Sequence, residues 1–254
     1  MEKPIVLYTN HITNRVLCHS FAKGSGSLMC HVDNFEDFNK TIATDGYLRG
    51  TGEAIRKSKN FYYLDHGYFN QSNRIFENNK TKILNLDGYF RVSFNDYWSN
   101  GLSVKPSDRF NKLNLKFKPK NNNGKFIIVS EPTSDAIQYY KLHNWTKQTI
   151  AEIKKYTDRT LVLHNRASKE KLTDLLPEAW AFVSDHSSAG FLAMLEGVPA
   201  YFTNKTLKNI GRLENIEKHD INYSLLNNLA YEQWTITEIQ SGECWDHLKN
   251  NNFL

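Results

Sequence analysis

The sequence predicts an α/β protein with its strands in parallel sheets. Two observations carry the prediction. Short apolar, β-branched runs recur along the chain, and in the second half each is followed by a helix-spaced segment with capping residues at its start. Strand and helix alternating at such close spacing fit right-handed crossovers between parallel neighbours.

The second half reads most clearly. Lys125 to Ser130 (KFIIVS) is a strand that ends at Glu131-Pro132-Thr133-Ser134, a turn followed by a capping hydroxyl. Trp145 to Tyr156 places Trp145, Thr149, Ile150, Ile153 and Tyr156 at helical spacing. Thr160 to His164 is the next strand, and Ser168 stands where it would cap a helix from Lys169 to about Leu176. Ala179 to Ser184 is a third strand, Ala189 to Glu196 a helix ended by Gly197, and Val198 to Thr203 a fourth strand. The unit count fits a Rossmann-like domain.

The first half is less regular. Pro4–Tyr8, Phe61–Leu64 and Tyr89–Ser93 read as strands. Between the first two, Gly46, Gly50 and Gly52 interrupt a helical pattern that resumes at Glu53. The Lys- and Asn-rich stretch from Lys105 to Gly124 is the natural boundary between halves. The expected organisation is therefore 1–120, 121–230 and a helical C-terminal segment, 231–254. In that segment Trp234, Ile236, Ile239, Trp245 and Leu248 are apolar anchors, with a break near Ser241-Gly242.

Composition narrows the class. Forty per cent hydrophobic residues are enough for a substantial core, and no run approaches the roughly 18 apolar residues that span a bilayer. Cys18, Cys30 and Cys244 form neither a CxxC pair nor a zinc-like Cys/His spacing, and read as free thiols in a reducing cytoplasm. His31, Asp33, Glu36 and Asp37 match no metal-ligand pattern. The net charge of +5 is uneven: residues 1–125 carry 19 Lys and Arg against 11 Asp and Glu, and residues 126–254 carry 13 against 16. The excess peaks between Lys105 and Lys125, either a solvated basic linker or a surface for a polyanion.

Ligands of open parallel sheets bind at the carboxyl ends of the strands. Three turns of the second half fall there: Ser130–Ser134, His164–Ser168 and Asp185–Ala189. Ser187 and Ser188 offer hydroxyls at a helix start, either as plain N-caps or as contacts to an anion. Glu196 lies eight residues beyond Ser188, as a solvated helix end or as a partner for a ribose. Arg166 and Lys169 are cations suited to a diphosphate. In the first half, Asp65-His66-Gly67 directly follows a strand, so either Asp65 or His66 can stand as a general base, or the three form an ordinary turn. Arg49 and Arg91 are open between anion contact and salt bridge. No GxGxxG, GxxxxGK[ST] or GxSxG motif is present.

The run from Glu178 to Phe202, EAWAFVSDHSSAGFLAMLEGVPAYF, following HNRASK, resembles the donor domain of GT-B glycosyltransferases. It is most similar to small bacteriophage-encoded members, and more distantly to capsule and lipopolysaccharide sugar transferases. YLRGTGE, YYLDHGYF, YFRVSFNDY and NNLAYEQWTITEIQSGECWDHL extend the resemblance along most of the chain. It implies two Rossmann-like α/β domains facing across a cleft, with C-terminal helices returning toward the N-terminal domain. It also implies a nucleotide-diphosphate sugar, most simply a UDP-sugar, as co-substrate, with no cofactor and no bound metal. Ser187 and Ser188 then match the hydroxyl pair on the donor phosphates, with Ser130 and His186 beside them. Glu196 matches the acid near the ribose, and Arg166 and Lys169 a phosphate-contacting turn that lacks its usual proline here. His66 or Asp65 would deprotonate the acceptor, with Arg49, Arg91 and Tyr68 near it. The phage relatives and the basic first half point to hydroxymethylated DNA as acceptor. A surface glycan is the alternative acceptor, and a non-catalytic nucleic-acid-binding protein the alternative class.

Overall fold

The computed structural model describes residues 2–71, 74–77, 80–84, 88–98 and 105–251, without the side chains of 74–77, 80–84 and 251. In chain order the elements are β1 (Ile5–Tyr8), α1 (Ile12–Ser25), β2 (Met29–His31), β3 (Ile42–Asp45), α2 (Thr51–Lys57), β4 (Phe61–His66), β5 (Arg74–Glu77), β6 (Lys80–Leu84) and β7 (Tyr89–Phe94). They continue with α3 (Asp108–Lys112), β8 (Phe126–Ser130), α4 (Ser134–Tyr140), α5 (Trp145–Ile153), β9 (Thr160–His164), α6 (Leu172–Leu175), β10 (Ala179–Ser184), α7 (Ala189–Leu195) and β11 (Ala200–Phe202). Last come α8 (Leu226–Tyr231), β12 (Gln233–Thr235), α9 (Ile236–Ser241) and α10 (Glu243–Asn251). The chain divides into two compact units, residues 1–99 with 229–254, and residues 100–228. No described helix is long and apolar enough to cross a membrane.

Unit 1 is a six-stranded sheet in the order β12-β7-β4-β3-β1-β2. β1 pairs in parallel with β2 and β3, and β3 with β4, while β7 and β12 close the far side antiparallel. Side chains alternate across the pleat, so each strand feeds two cores. Val6, Ala43, Tyr62 and Leu64 pack with Leu17 and Phe21 of α1 and Ile239, Trp245 and Leu248 of the C-terminal helices. Leu7, Ile42 and Tyr63 face the other way, onto Ala54 and Ile55 of α2. A strand covered on both faces reads as an unbroken apolar run, which is why IVLY and FYYL were legible as strands.

The C-terminal segment belongs to this unit. At Gly24 of α1 a β-carbon would lie 1.9 Å from the carbonyl oxygen of Ile239, so only glycine lets α9 pack directly on α1. α9 starts with a reciprocal capping box between Thr235 and Glu238 and ends at Gly242, whose φ of 94° is left-handed. The break expected near Ser241-Gly242 is there. The strand β12, expected as part of a helical segment, pairs with β7 because Gln233 and Trp234 are buried against it. The last three residues of the expected segment lie outside the described residues.

Unit 2 is a four-stranded, wholly parallel sheet, β11-β10-β8-β9. All four expected strands form, with β11 shorter at both ends. The helix expected from Lys169 is confined to Leu172–Leu175, with Lys171 at its N-cap. Ser168 is therefore not its cap; its hydroxyl accepts the Asn165 N–H at 2.9 Å and holds the turn after β9. At the amino edge of this sheet the Arg159 guanidinium lies 3.6 Å from the Trp180 ring centroid, and His219 packs on the same ring at 3.8 Å.

His219 supplies a test of this edge. Burial, with Lys120 adding to it, pushes its imidazole down from 6.5 to about 4. The unfolded chain therefore takes up a proton that the folded chain refuses between those values. The stabilisation from the neutral ring is complete above about pH 6.5 and is lost as pH falls toward 4, amounting to roughly 3 kcal/mol. His219→Asn suits the left-handed φ of 54° at this position and does not titrate. Urea midpoints measured at pH 7 and pH 4.5 should differ less in this variant than in the wild type.

Candidate functional site

Both units share one consequence of strand order. In unit 2 the chain leaves β8 to one side for β9 and returns on the other side for β10, so the connections after β8 and β10 diverge. The crevice between diverging connections, at the carboxyl ends of the strands, is where open α/β sheets take ligands. In this unit it lies between Glu131–Thr133 and Asp185–Ser188.

The crevice is built by a polar network. The Glu131 carboxylate accepts from Thr146 Oγ1 at 3.2 Å and from Asn165 Nδ2 at 2.9 Å. Asp185, only 8% exposed, accepts from Thr203 Oγ1 at 2.9 Å and meets His186 Nδ1 at 2.6 Å. Thr203 in turn accepts from the Trp145 indole at 2.6 Å, and Tyr140 stands edge-on to the His186 ring at 4.9 Å. A buried carboxylate with both oxygens occupied is a fixed charge, and here it orients an imidazole. Ser187 accepts from the Ala189 N–H at 3.3 Å and is half-buried, whereas Ser188 is exposed and makes no side-chain cap. The capping reading of Asp-His-Ser-Ser thus holds for Ser187 alone. Beside Thr203 a second cleft, of about 530 Å³, is lined by Lys208, Arg212, Glu152 and Tyr156.

The other expected donor residues are not all brought together. Ser130 ends β8 at the crevice. Arg166 and Lys169 are exposed after β9, on the far side of β8 from β10, roughly 10 Å away by strand spacing. Glu196 caps the opposite end of α7, a seven-residue helix about 10 Å long, and pairs there with Lys118. The structure separates it from Ser187 and Ser188, because a helix following a parallel strand runs back toward the amino edge.

In unit 1 the same strand order, β2-β1-β3-β4, places the corresponding crevice after β1 and β3. Buried Asn14 stitches the two connections, accepting from the Thr9 N–H at 2.6 Å and donating to the Asp45 carbonyl at 3.0 Å. A cleft of about 510 Å³ opens here, lined by Thr9, Asn10 and His11 after β1, His31 at the end of β2 with Asp33 beyond it, and Arg49 after β3. The sequence offered one signal for it, the polar Thr-Asn-His directly after an apolar strand. It was obscured because α1 buries Thr13, Asn14, Ser20 and Ser25, which dilutes the helical periodicity.

Farther along this edge, Arg91 corrects two expectations. It stands directly opposite Asp65 across β4 and β7, and only 10% of its side chain is exposed. It donates to Asp65 Oδ2 at 2.7 Å, to the His66 carbonyl at 3.1 Å and to the Tyr97 carbonyl at 3.1 Å. Its guanidinium also lies over the rings of Tyr63 and Tyr68. Arg91 is therefore a structural anchor, and Tyr68, 3% exposed, is core rather than an acceptor platform. Asp65 also accepts from the Tyr63 hydroxyl and the His66 N–H, which commits it to this network. His66 alone of the pair presents a half-buried ring, stacked on Phe90 at 5.8 Å. The loop beyond it is fixed from a distance: Gln233 accepts the N–H groups of Tyr68 and Phe69 at 2.9 and 3.0 Å.

Removing Arg91 leaves Asp65 without its cation. Arg91→Met should lower unfolding stability by about 2–3 kcal/mol, below the 3–5 kcal/mol of a fully buried pair because Asp65 retains some solvent contact. Arg91→Lys should recover little of it, since an ammonium cannot reach three acceptors in one plane. His66→Ala should change the same urea-derived stability by about 1 kcal/mol or less.

No protein-family model matches the sequence, and no curated protein matches it. Among solved structures, Thermosulfurimonas dismutans KpsC, a beta Kdo 2,4 transferase, is similar over 91% of this chain and 90% of that one, with 10% identity and a TM-score of 0.49.

Proposed function

We propose that this protein is a glycosyltransferase that binds a nucleotide-diphosphate sugar at the carboxyl edge of unit 2. The observation that carries the reading is the switch-point crevice in which buried Asp185 orients His186 beside exposed Ser188. Such a crevice is the place where parallel α/β sheets take nucleotides, and the motif that forms it is the one that resembles GT-B donor sites. The diphosphate would be held by Ser188 and His186, with Ser130 adjacent. Arg166 and Lys169 would contribute from the neighbouring turn only if the ligand spans β8. In the reaction the acceptor oxygen bonds to the sugar C1, the C1–O bond to the diphosphate breaks, and the acceptor proton passes to His66, the base that this reading favours over Asp65. Two facing domains of GT-B type are part of the proposal.

The acceptor reading changes with the domain division. Counted by units, unit 1 holds 13 Lys and Arg against 14 Asp and Glu, and unit 2 holds 19 against 13. The basic run from Lys105 to Lys125 belongs to unit 2, so the charge that favoured DNA on the acceptor side is not in unit 1. A glycan acceptor is the better-supported reading, and DNA remains the reading that the phage resemblance implies.

Titration calorimetry with UDP-, GDP- and CMP-sugars tests the donor site. One class should bind, and Ser188→Ala should weaken it about tenfold, the scale of a hydrogen bond to a charged group. If none binds, the non-catalytic alternative takes over. His66→Ala should keep donor affinity and lose turnover. For the acceptor, retention on duplex DNA should be weak and vary little with salt; a steep fall in affinity between 50 and 200 mM salt, of about 10³ or more, would restore the DNA reading.

A further inference from the structure

The cleft at the switch point of unit 1 has no role in donor binding, yet it carries the marks of a binding site. Its volume of about 510 Å³ lies within the 300–1,000 Å³ typical of small-molecule sites. Arg49 enters it from a left-handed backbone, φ 60°, a conformation that costs a non-glycine residue energy and persists where neighbours enforce it. The Thr51 hydroxyl supplies that enforcement by donating to the carbonyls of Leu48 and Gly46 at 2.7 and 3.0 Å. The Arg49 guanidinium is exposed and makes no hydrogen bond or ion pair among the described residues.

One buried polar atom of the lining also lacks a partner. His31 Nδ1 lies 3.4 Å from the Asp33 N–H and 3.5 Å from Asp33 Oδ2, and its Nε2 is buried without a partner. α1 is 14 residues long, has no acid in its first turn and receives no side-chain cap from His11. Buried polar groups are almost always satisfied, so an unpaired one at a cleft points to something that completes it.

The chemistry of the lining selects the ligand. Arg49 and the uncapped start of α1 suit one anionic group. Asp33, with a side chain 77% exposed, opposes a bare anion but accepts from hydroxyls, and the Asn10 amide meets hydroxyls in either direction. We propose that this cleft binds a hydroxylated ligand bearing one carboxylate or phosphate, a sugar acid or sugar phosphate, with Arg49 on the anion and Asp33 and His31 on hydroxyls. This rests on the transferase reading only for its meaning, in which the ligand is the acceptor.

Calorimetry on the full chain, without nucleotide, tests it with glucuronate, glucose 6-phosphate, glucose and inorganic phosphate at fixed ionic strength. At least one of the two charged sugars should bind tenfold or more tighter than glucose and than phosphate alone, and which of the two does so separates carboxylate from phosphate. Arg49→Asn, whose new residue is at ease at positive φ, should lose that tenfold while its melting temperature holds. Equal binding of glucose and both charged sugars, binding of phosphate alone as tightly as either, no binding of any, or wild-type affinity in Arg49→Asn would each overturn the proposal. Nucleotide-sugar binding in a protein that ignores all four probes would sink the cleft and spare the transferase reading, and the reverse result would do the opposite.

Discussion

Parallel strands cannot be joined by a tight turn; each needs a crossover that climbs one face of the sheet and returns. That constraint organises this protein. It covers both faces of each sheet with helices and leaves only the strand ends open. It also requires that a chain placing β2 and β3, or β9 and β10, on opposite sides of its first strand split its connections there. Both crevices of this protein are products of that split, and their linings are the residues that happen to follow β1, β2 and β3 in one unit and β8 and β10 in the other.

Within that frame, fixed charges set what each edge can do. Asp185 and Asp65 are both carboxylates at strand ends, but their partners give them different tasks. Asp185 is held by Thr203 and orients His186, so its charge is directed at the open turn. Asp65 is opposed by a nearly buried Arg91, so its charge is spent on joining β4 to β7 and on fixing the loop that follows His66. The planar guanidinium reaches three acceptors at once, which is the reason an arginine stands at this point.

Charge carried along the sequence and charge carried by a folded unit differ for a simple reason. The basic stretch after Lys105 precedes β8 and folds with it, whereas the acidic C-terminal residues Glu232, Glu238, Glu243 and Asp246 return to unit 1. A half that reads as net +8 by position becomes a unit close to neutral, and attraction to a polyanion becomes a property of the other unit.

The sequence by itself determined the four parallel strands of unit 2, the strands β1, β4 and β7 of unit 1, and the place of the Asp-His-Ser-Ser turn. The strands β2 and β3 and the antiparallel side of unit 1 were not read from it. Buried strands and glycine-ended helices are local patterns, and period and punctuation reveal them. It determined less where burial and pairing are settled at long range. The strand at Gln233 exists because β7 offers an edge, and α1 hides its period behind four buried polar residues. Glu196 and Arg91 were separable from the sites only in three dimensions, since a helix carries its last residue to the opposite edge and a cross-strand neighbour neutralises a cation. The cleft at Arg49 was decided by tertiary structure alone. It gathers residues from three connections that the chain keeps as much as 40 positions apart, and only the strand order brings them to one edge.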